Sequence, residues 1–385
     1  MRSNTNISLY FHIPFCLKKC LYCSFYSVDQ GYFPLDEYVD ALVREMRLCR
    51  EKFDIPFSAR TLYIGGGTPS IMNPLHVEKI VGEAAKLFGV TSDAEITMEA
   101  NPGTLTREKL IGYKRSGVNR LSLGIQSFND SNLERLGRVH TVTQAFEAFH
   151  AARSHGFANM GIDLICSLPG QTLRMWEDDL LSAVAMGPEH MSVYGLTIEE
   201  GTPFAEMEKQ GALLLPDEDE SADMYECAAD ILCGSGYEHY EISNFARQGY
   251  RSRHNQVYWH RDTCLGFGSG AHSFMTEPGF GVRWRNPDNL GKYLEAVKES
   301  RLPWRDRHCP TLREAMSERL FLGLRLLDGV DLRLFRDEFG VDFEDAYPEE
   351  CSKLLAKGFI EISGGKLRLA QKSLLISNQI FVMFV

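Results

Sequence analysis

The sequence predicts an α/β protein, a partial (β/α)6 TIM-type barrel followed by a winged-helix-like C-terminal domain. Three observations lead there. Short β-branched runs alternate six times with longer amphipathic stretches up to about residue 200, glycine and polar residues gather where those runs stop, and the pattern changes near residue 310. The length agrees, because single cores stop growing near ~250–300 residues and 385 residues call for a second, smaller unit.

The strand runs are SLYFHI (8–13), TLYIGG (61–66), EITMEA (95–100), RLSLGI (120–125), MGIDLI (160–165) and HMSVYGL (190–196). Helical patterns lie between them, as in DEYVDALVREMRLCREKF, where Tyr38, Leu42, Met46 and Cys49 recur about one turn apart. Repeated β–α units specify a parallel sheet, and barrels built this way place their chemistry at the carboxyl ends of the strands. Residues 1–200 are expected to form the barrel and residues 201–309, rich in aromatics, to add strands and loops at the sheet edge. In residues 310–385 the stretches LREAMSERLFLGLRLL, DLRLFRDEFG and PEECSKLLAKGFIEI read as three helices, and GGKLRLA as a hairpin, the outline of a winged helix.

Composition narrows the function. Apolar residues at 44% and charged residues at 24% are those of an ordinary soluble globular protein. The net charge of -11 repels phosphate backbones, and residues 311–385 hold twelve acidic against ten basic side chains, so nucleic acid is excluded as a partner despite the winged-helix outline. No window approaches the roughly 20 apolar residues of a spanning helix, and MRSNTNISLYFHIPFC lacks the apolar core and cleavage site of a signal peptide, so a cytoplasmic location is expected. Ten cysteines in such a chain read as buried thiols or metal ligands rather than disulfides. Only Cys16, Cys20 and Cys23 cluster.

These three form CLKKCLYC, with spacing C-x3-C-x2-C, directly after the first strand. Three thiolates so close can hold three irons of a cubane 4Fe–4S cluster and leave the fourth iron open. A zinc site, which usually needs a fourth ligand nearby, and a chance cluster of buried thiols are the alternatives. Further along, Gly65, Gly66 and Gly67 end the second strand, where backbone can approach a ligand without Cβ interference. Glu99, Gln126, Arg138 and Asp163 fall at or just beyond later strand ends. Each alone reads as an ordinary polar loop residue.

Taken together, YFHIPFCLKKCLYCSF, YIGGGTPS, EANP, GVNRLSLGIQSFN, LGRVH, IDLICSLPGQT, YEISNFA and RHNQVYW resemble the radical S-adenosylmethionine (SAM) superfamily. Within it they resemble the family that joins the haem chaperones to the oxygen-independent coproporphyrinogen III oxidases, across nearly the whole chain. The resemblance implies that Cys16, Cys20 and Cys23 ligate a 4Fe–4S cluster and that SAM binds its open iron. It also implies SAM contacts from Tyr10, Tyr22, Gly66, Gly67, Thr68, Glu99, Gln126, Arg138 and Asp163, and a family C-terminal domain over residues 310–385.

Two functions from different classes follow from that family. One is a haem chaperone that binds haem and hands it to haem proteins. The other is an oxidase that makes protoporphyrinogen IX by SAM-dependent radical decarboxylation; a radical SAM enzyme with another substrate is a third, weaker reading. Three features favour the chaperone. Phe25 stands where the oxidases carry a fourth cysteine, and only seven residues precede the first strand where the oxidases have a closing extension. His254-Asn255-Gln256-Val257-Tyr258-Trp259 matches the HNxxYW motif of the haem chaperones, which suggests His254 as an axial haem ligand beside two flat aromatic side chains. The expected partners are haem or porphyrin, haem-accepting proteins and an electron donor for the cluster, with peripheral association with a membrane left open.

Overall fold

The computed structural model describes residues 5–28, 34–53 and 55–385. Six strands, β1 (Thr5–Ile13), β2 (Phe57–Gly66), β3 (Val90–Ala100), β4 (Arg120–Gln126), β5 (Asn159–Cys166) and β6 (His190–Gly195), pair in parallel in that order. Helices such as Leu35–Lys52, Pro74–Phe88 and Leu173–Met186 connect them. All six strand runs read from the sequence are therefore present, the first three lengthened at their amino ends and the others within one residue of the reading, and the chain is an α/β partial barrel. Leu9, Phe11 and Ile13 on β1 are buried against the helical layer, while Tyr10 and His12 point to the concave face, as strand alternation requires.

The barrel stays open because both of its edges are extended into one 12-stranded sheet. Beyond β6 lie β7 (Glu238–Glu241) and β8 (Asn244–Ala246), with β8 antiparallel to β6. Beyond β1 lie β9 (Cys264–Phe267), β10 (His272–Met275), β11 (Val282–Arg285) and β12 (Arg305–His308). Residues 201–309 thus extend two edges rather than one. They also contain a 17-residue helix, Glu218–Gly234, where strands and loops were expected. Its signal is faint because only Met224, Ala228 and Leu232 are buried, a stripe too narrow to stand out, although Asp217 and Glu220 form a capping box at its start. One core runs through barrel and extension, with Phe11, Ile64 and Leu123 in the same cluster as Met224, Phe245, Phe267 and Trp284.

The C-terminal residues have their own core around Leu320, Phe335, Phe343, Tyr347 and Leu367. Helices Leu312–Gly323, Leu332–Phe339 and Pro348–Ala356 precede the hairpin Ile360–Ser363 and Lys366–Leu369, and Val330–Asp331 adds a third strand, which makes the unit winged-helix-like. The sequence reading did not include the last helix, Ser377–Val382. It is followed by Phe384, which packs on Tyr347 and whose carbonyl accepts from the Ser317 hydroxyl at 2.5 Å. This unit is tied to the sheet at two places. Ile242 N–H donates to Arg325 O and Leu327 N–H to Tyr240 O, while Glu318 accepts from Arg261 at 2.8 Å and from Arg283 at 2.6 and 2.9 Å.

Helix Arg253–Trp259, which carries HNQVYW, is anchored across the chain. Buried Glu95 on β3 accepts from the backbone N–H groups of Arg253 (3.1 Å) and His254 (3.0 Å), and the Ser252 hydroxyl caps Asn255 N–H. Glu95→Ala leaves both donors unmet and is expected to lower the unfolding free energy by about 2–4 kcal/mol, with Glu95→Gln losing roughly half as much. Urea unfolding measures this; a loss under about 0.5 kcal/mol would show that the anchor contributes nothing.

Candidate functional site

The cysteine loop springs from the carboxyl end of β1. Its neck is closed by Cys16 N–H donating to Val28 O (2.9 Å) and Val28 N–H to Pro14 O (2.5 Å). Leu21 N–H donates to Leu136 O, which ties the far side of the loop to the segment after β4. The end of β2 forms its backing, with Gly67 N–H bonded to Ile13 O and Thr68 N–H to Phe15 O, both at 2.8 Å. Glycine is required here. A Cβ on Gly67 would stand 2.9 Å from Cys16 Sγ, and Gly66 has φ of 113° with the His12 ring 2.8 Å from where its Cβ would be. Burial pushes the Cys16 and Cys23 thiols up, opposed at Cys16 by hydrogen bonds from Thr68 and Ser27 and at Cys23 by the backbone of Phe25. Such sulfurs ionise readily only beside positive charge, which bound iron would supply.

Cys16, Cys20, Cys23, Tyr22, Gly66, Gly67, Thr68, Glu99, Gln126, Arg138 and Asp163 all line one cavity of about 440 Å³. The structure therefore brings together residues separated by up to four β–α units. Glu99 Oε1 accepts from the Tyr63 hydroxyl at 2.8 Å and Oε2 from Gly66 N–H at 3.1 Å. Burial raises its pKa to about 7, with Tyr63 and Gly66 pulling it down and Asp163 pushing it up. Asp163, near Ser122 and Ser192, is raised by the same burial. Arg138 donates to Gly124 O (2.6 Å) and to Cys20 Sγ (3.4 Å), and its buried Nε has no partner among the described residues. Recessed carboxylates and a guanidinium with one free donor fit a zwitterion that carries an extra positive charge.

Gln126 ends β4 with φ of 73°, a conformation that costs a non-glycine residue about 1–3 kcal/mol and is concentrated at binding sites. Sequence reasoning missed Tyr63 and Arg120, which also line the cavity. The alternation in TLYIG placed Tyr63 on the same strand face as Thr61 and Gly65, a usable signal. Nothing in the sequence marked Arg120, fully buried at the start of β4.

Two expected residues stand elsewhere. Tyr10 is not among the residues lining this cavity; its hydroxyl pairs with His12 Nδ1 at 3.0 Å and its ring packs behind Tyr63. His254 is 1% exposed, with Nδ1 hydrogen-bonded to Thr61 Oγ1 (2.7 Å), Nε2 to the Tyr258 hydroxyl (3.0 Å), and its ring stacked 4.9 Å from that of Tyr63. Burial, reinforced by Arg120, drives its pKa to about 3, so the imidazole is neutral. In this position it presents no free nitrogen to a metal.

The "Radical SAM superfamily" description matches residues 10–183, and that of the "HemN C-terminal domain" matches residues 311–376. The chain is 38% identical to "Heme chaperone HemW" of Bacillus subtilis over 98% of this chain and 99% of that one. It is 36% identical to the protein of the same name from Lactococcus lactis over 98% and 97% of the two chains. Among solved structures, coproporphyrinogen III oxidase (HemN) from Escherichia coli, a radical SAM enzyme, superposes with a TM-score of 0.84 at 25% identity, covering 99% of this chain and 90% of that one. With such identity to curated relatives along nearly its full length, the chain belongs to the HemW family of the radical SAM superfamily.

Proposed function

We propose that this protein is a cytoplasmic haem chaperone, which binds haem and passes it to haem-accepting proteins. As a radical SAM protein it uses a 4Fe–4S cluster and SAM. The observation that carries the chaperone reading is Phe25. Where the oxidases hold a fourth cysteine, this side chain lines the cavity mouth 68% exposed, an aromatic surface offered to solvent beside the cluster loop. The close superposition on the coproporphyrinogen oxidase favours the competing reading, an oxidase of the same scaffold.

On this proposal Cys16, Cys20 and Cys23 hold the cluster, and the cluster with SAM supplies one-electron chemistry. The chain's own groups bind and orient. Arg138, whose Nε is free, would meet the SAM carboxylate, Glu99 and Asp163 would take the ammonium and ribose hydroxyls, and Gly66, Gly67 and Thr68 would bring backbone against it. Tyr22 and Gln126 complete the contacts, and Tyr10 acts through Tyr63, whose ring it supports. An electron donor and a haem acceptor are the protein partners this scheme requires. Among the described residues no helix is long and apolar enough to cross a membrane.

Anaerobic reconstitution should give about four irons and four sulfides per chain, lost when any of Cys16, Cys20 or Cys23 becomes alanine. The same loss in Cys166→Ala or Cys227→Ala would overturn the ligand set. SAM affinity, read by calorimetry, should depend on pH through Glu99. Its carboxyl is protonated below about 7 and faces Tyr63, Asp163 and Arg120, so the cationic ligand loses a counter-charge as pH falls. Affinity is expected to drop about tenfold between about pH 8 and about pH 6, and Glu99→Gln to flatten the curve. Finally, cluster-loaded protein with SAM and reductant should show a bound-haem Soret band and leave coproporphyrinogen III unconverted; efficient decarboxylation would restore the oxidase reading.

A further inference from the structure

Two non-glycine residues at the carboxyl ends of neighbouring strands hold left-handed backbone: Gln126, which ends β4 with φ of 73°, and Ser167, which follows β5 with φ of 59°. Such conformations persist only where their surroundings over-determine them. One carboxylate supplies much of that constraint. Asp179, buried on the helix Leu173–Met186, accepts at Oδ1 from Phe128 N–H (2.6 Å) and at Oδ2 from the Ser127 hydroxyl (2.8 Å) and Gln171 Nε2 (3.5 Å). Ser127 and Phe128 are the two residues after Gln126. Gln171, also buried, accepts at Oε1 from Leu168 N–H (3.1 Å) and donates its own backbone N–H to Leu168 O (2.9 Å), which closes the turn directly after Ser167. Asp179 thus braces both strand exits at once.

Ser127, Phe128, Gln171 and Asp179 do not line the cavity beside the cysteine loop, so this carboxylate acts on a ligand only through its neighbours. Gln126 does line it, and its side-chain amide makes no hydrogen bond among the described residues, so its aim follows from the backbone that carries it. The Ser127 hydroxyl is fully engaged in the brace, since its oxygen accepts from Asn129 N–H (3.1 Å) and Asn132 Nδ2 (3.3 Å) while its proton goes to Asp179. Burial raises the Asp179 carboxyl to about 6 against the pull of Ser127 and Phe128, so above about pH 7 it accepts as the anion, the stronger form of such bonds. An ionised carboxylate is costly to bury, and what this one contributes in return is a fixed exit for β4.

We propose that Asp179 is a positioning residue for SAM, holding Gln126 in its left-handed conformation so that the amide meets the ligand. The inference rests on the reading above that Gln126 contacts SAM. Calorimetric SAM titration of cluster-loaded protein near about pH 8, where Asp179 and Glu99 are ionised, tests it through a double-mutant cycle. Asp179→Asn keeps the side chain's size but loses the charge and one acceptor, and should weaken SAM binding about fivefold with cluster iron unchanged. Gln126→Ala alone should weaken it about tenfold, and adding Asp179→Asn to that variant should cost less than about a further twofold, because the residue that Asp179 aims is gone. Should Asp179→Asn fail to take up cluster iron, Ser127→Ala, which removes one of the two short bonds, carries the same cycle with a smaller first step. An Asp179→Asn protein that melts at a lower temperature yet binds SAM with wild-type affinity would make the carboxylate structural only and overturn the inference, as would two substitutions whose effects simply multiply. If wild type binds no SAM, or Gln126→Ala binds it as tightly as wild type, the assigned SAM contact itself fails and the inference falls with it.

Discussion

Everything at the first cavity depends on the common direction of six strands. Because β1 to β6 run parallel, their carboxyl ends reach one rim, and Cys16, Gly66, Glu99, Gln126, Asp163 and Tyr194 meet there although they lie far apart in the chain. β1 has a parallel partner on each side, β2 and β9, so the point from which the cysteine loop departs is fixed by two ladders. The bonds from Gly67 to Ile13 and from Thr68 to Phe15 carry that fixation into the loop itself.

The electrostatics follow from the same geometry. Strand ends that converge place Glu99, Asp163, Arg120 and Arg138 in one small cavity, where burial works against the charged carboxylates and every remaining donor acts at close range. The positive φ of Gln126 and the side-chain-free positions Gly66 and Gly67 at the end of β2 are what bringing main chain to that point requires. Stability for these features comes from the apolar layer beneath, where Leu9, Phe11, Ile64 and Leu123 are wholly buried.

What could be read from the sequence was local. Strand alternation gave the six barrel strands, the spacing of three cysteines gave the cluster loop, and residues at strand ends gave part of the cavity lining, Gly66, Glu99, Gln126 and Asp163 among it. What could not be read depends on partners distant in sequence. His254 is held by Thr61, 193 residues away, and no local pattern shows that its ring is buried. The pairing of β9 beside β1 opens the barrel without a signal in either strand, and the helix Glu218–Gly234 hides behind a narrow apolar stripe.

The helix bearing HNQVYW is also a partition. Asn255 belongs to the wall of the first chamber and Tyr258 to the wall of a second, of about 360 Å³, on the sheet extension beyond β1, while His254 between them stacks on the tyrosine that holds Glu99. A wall shared in this way obeys thermodynamic linkage: if an occupant of the first chamber shifts the helix and changes binding in the second by some factor, the second occupant changes binding in the first by the same factor. Loading and release on one side of such a partition are then set by what stands on the other, with no further moving part.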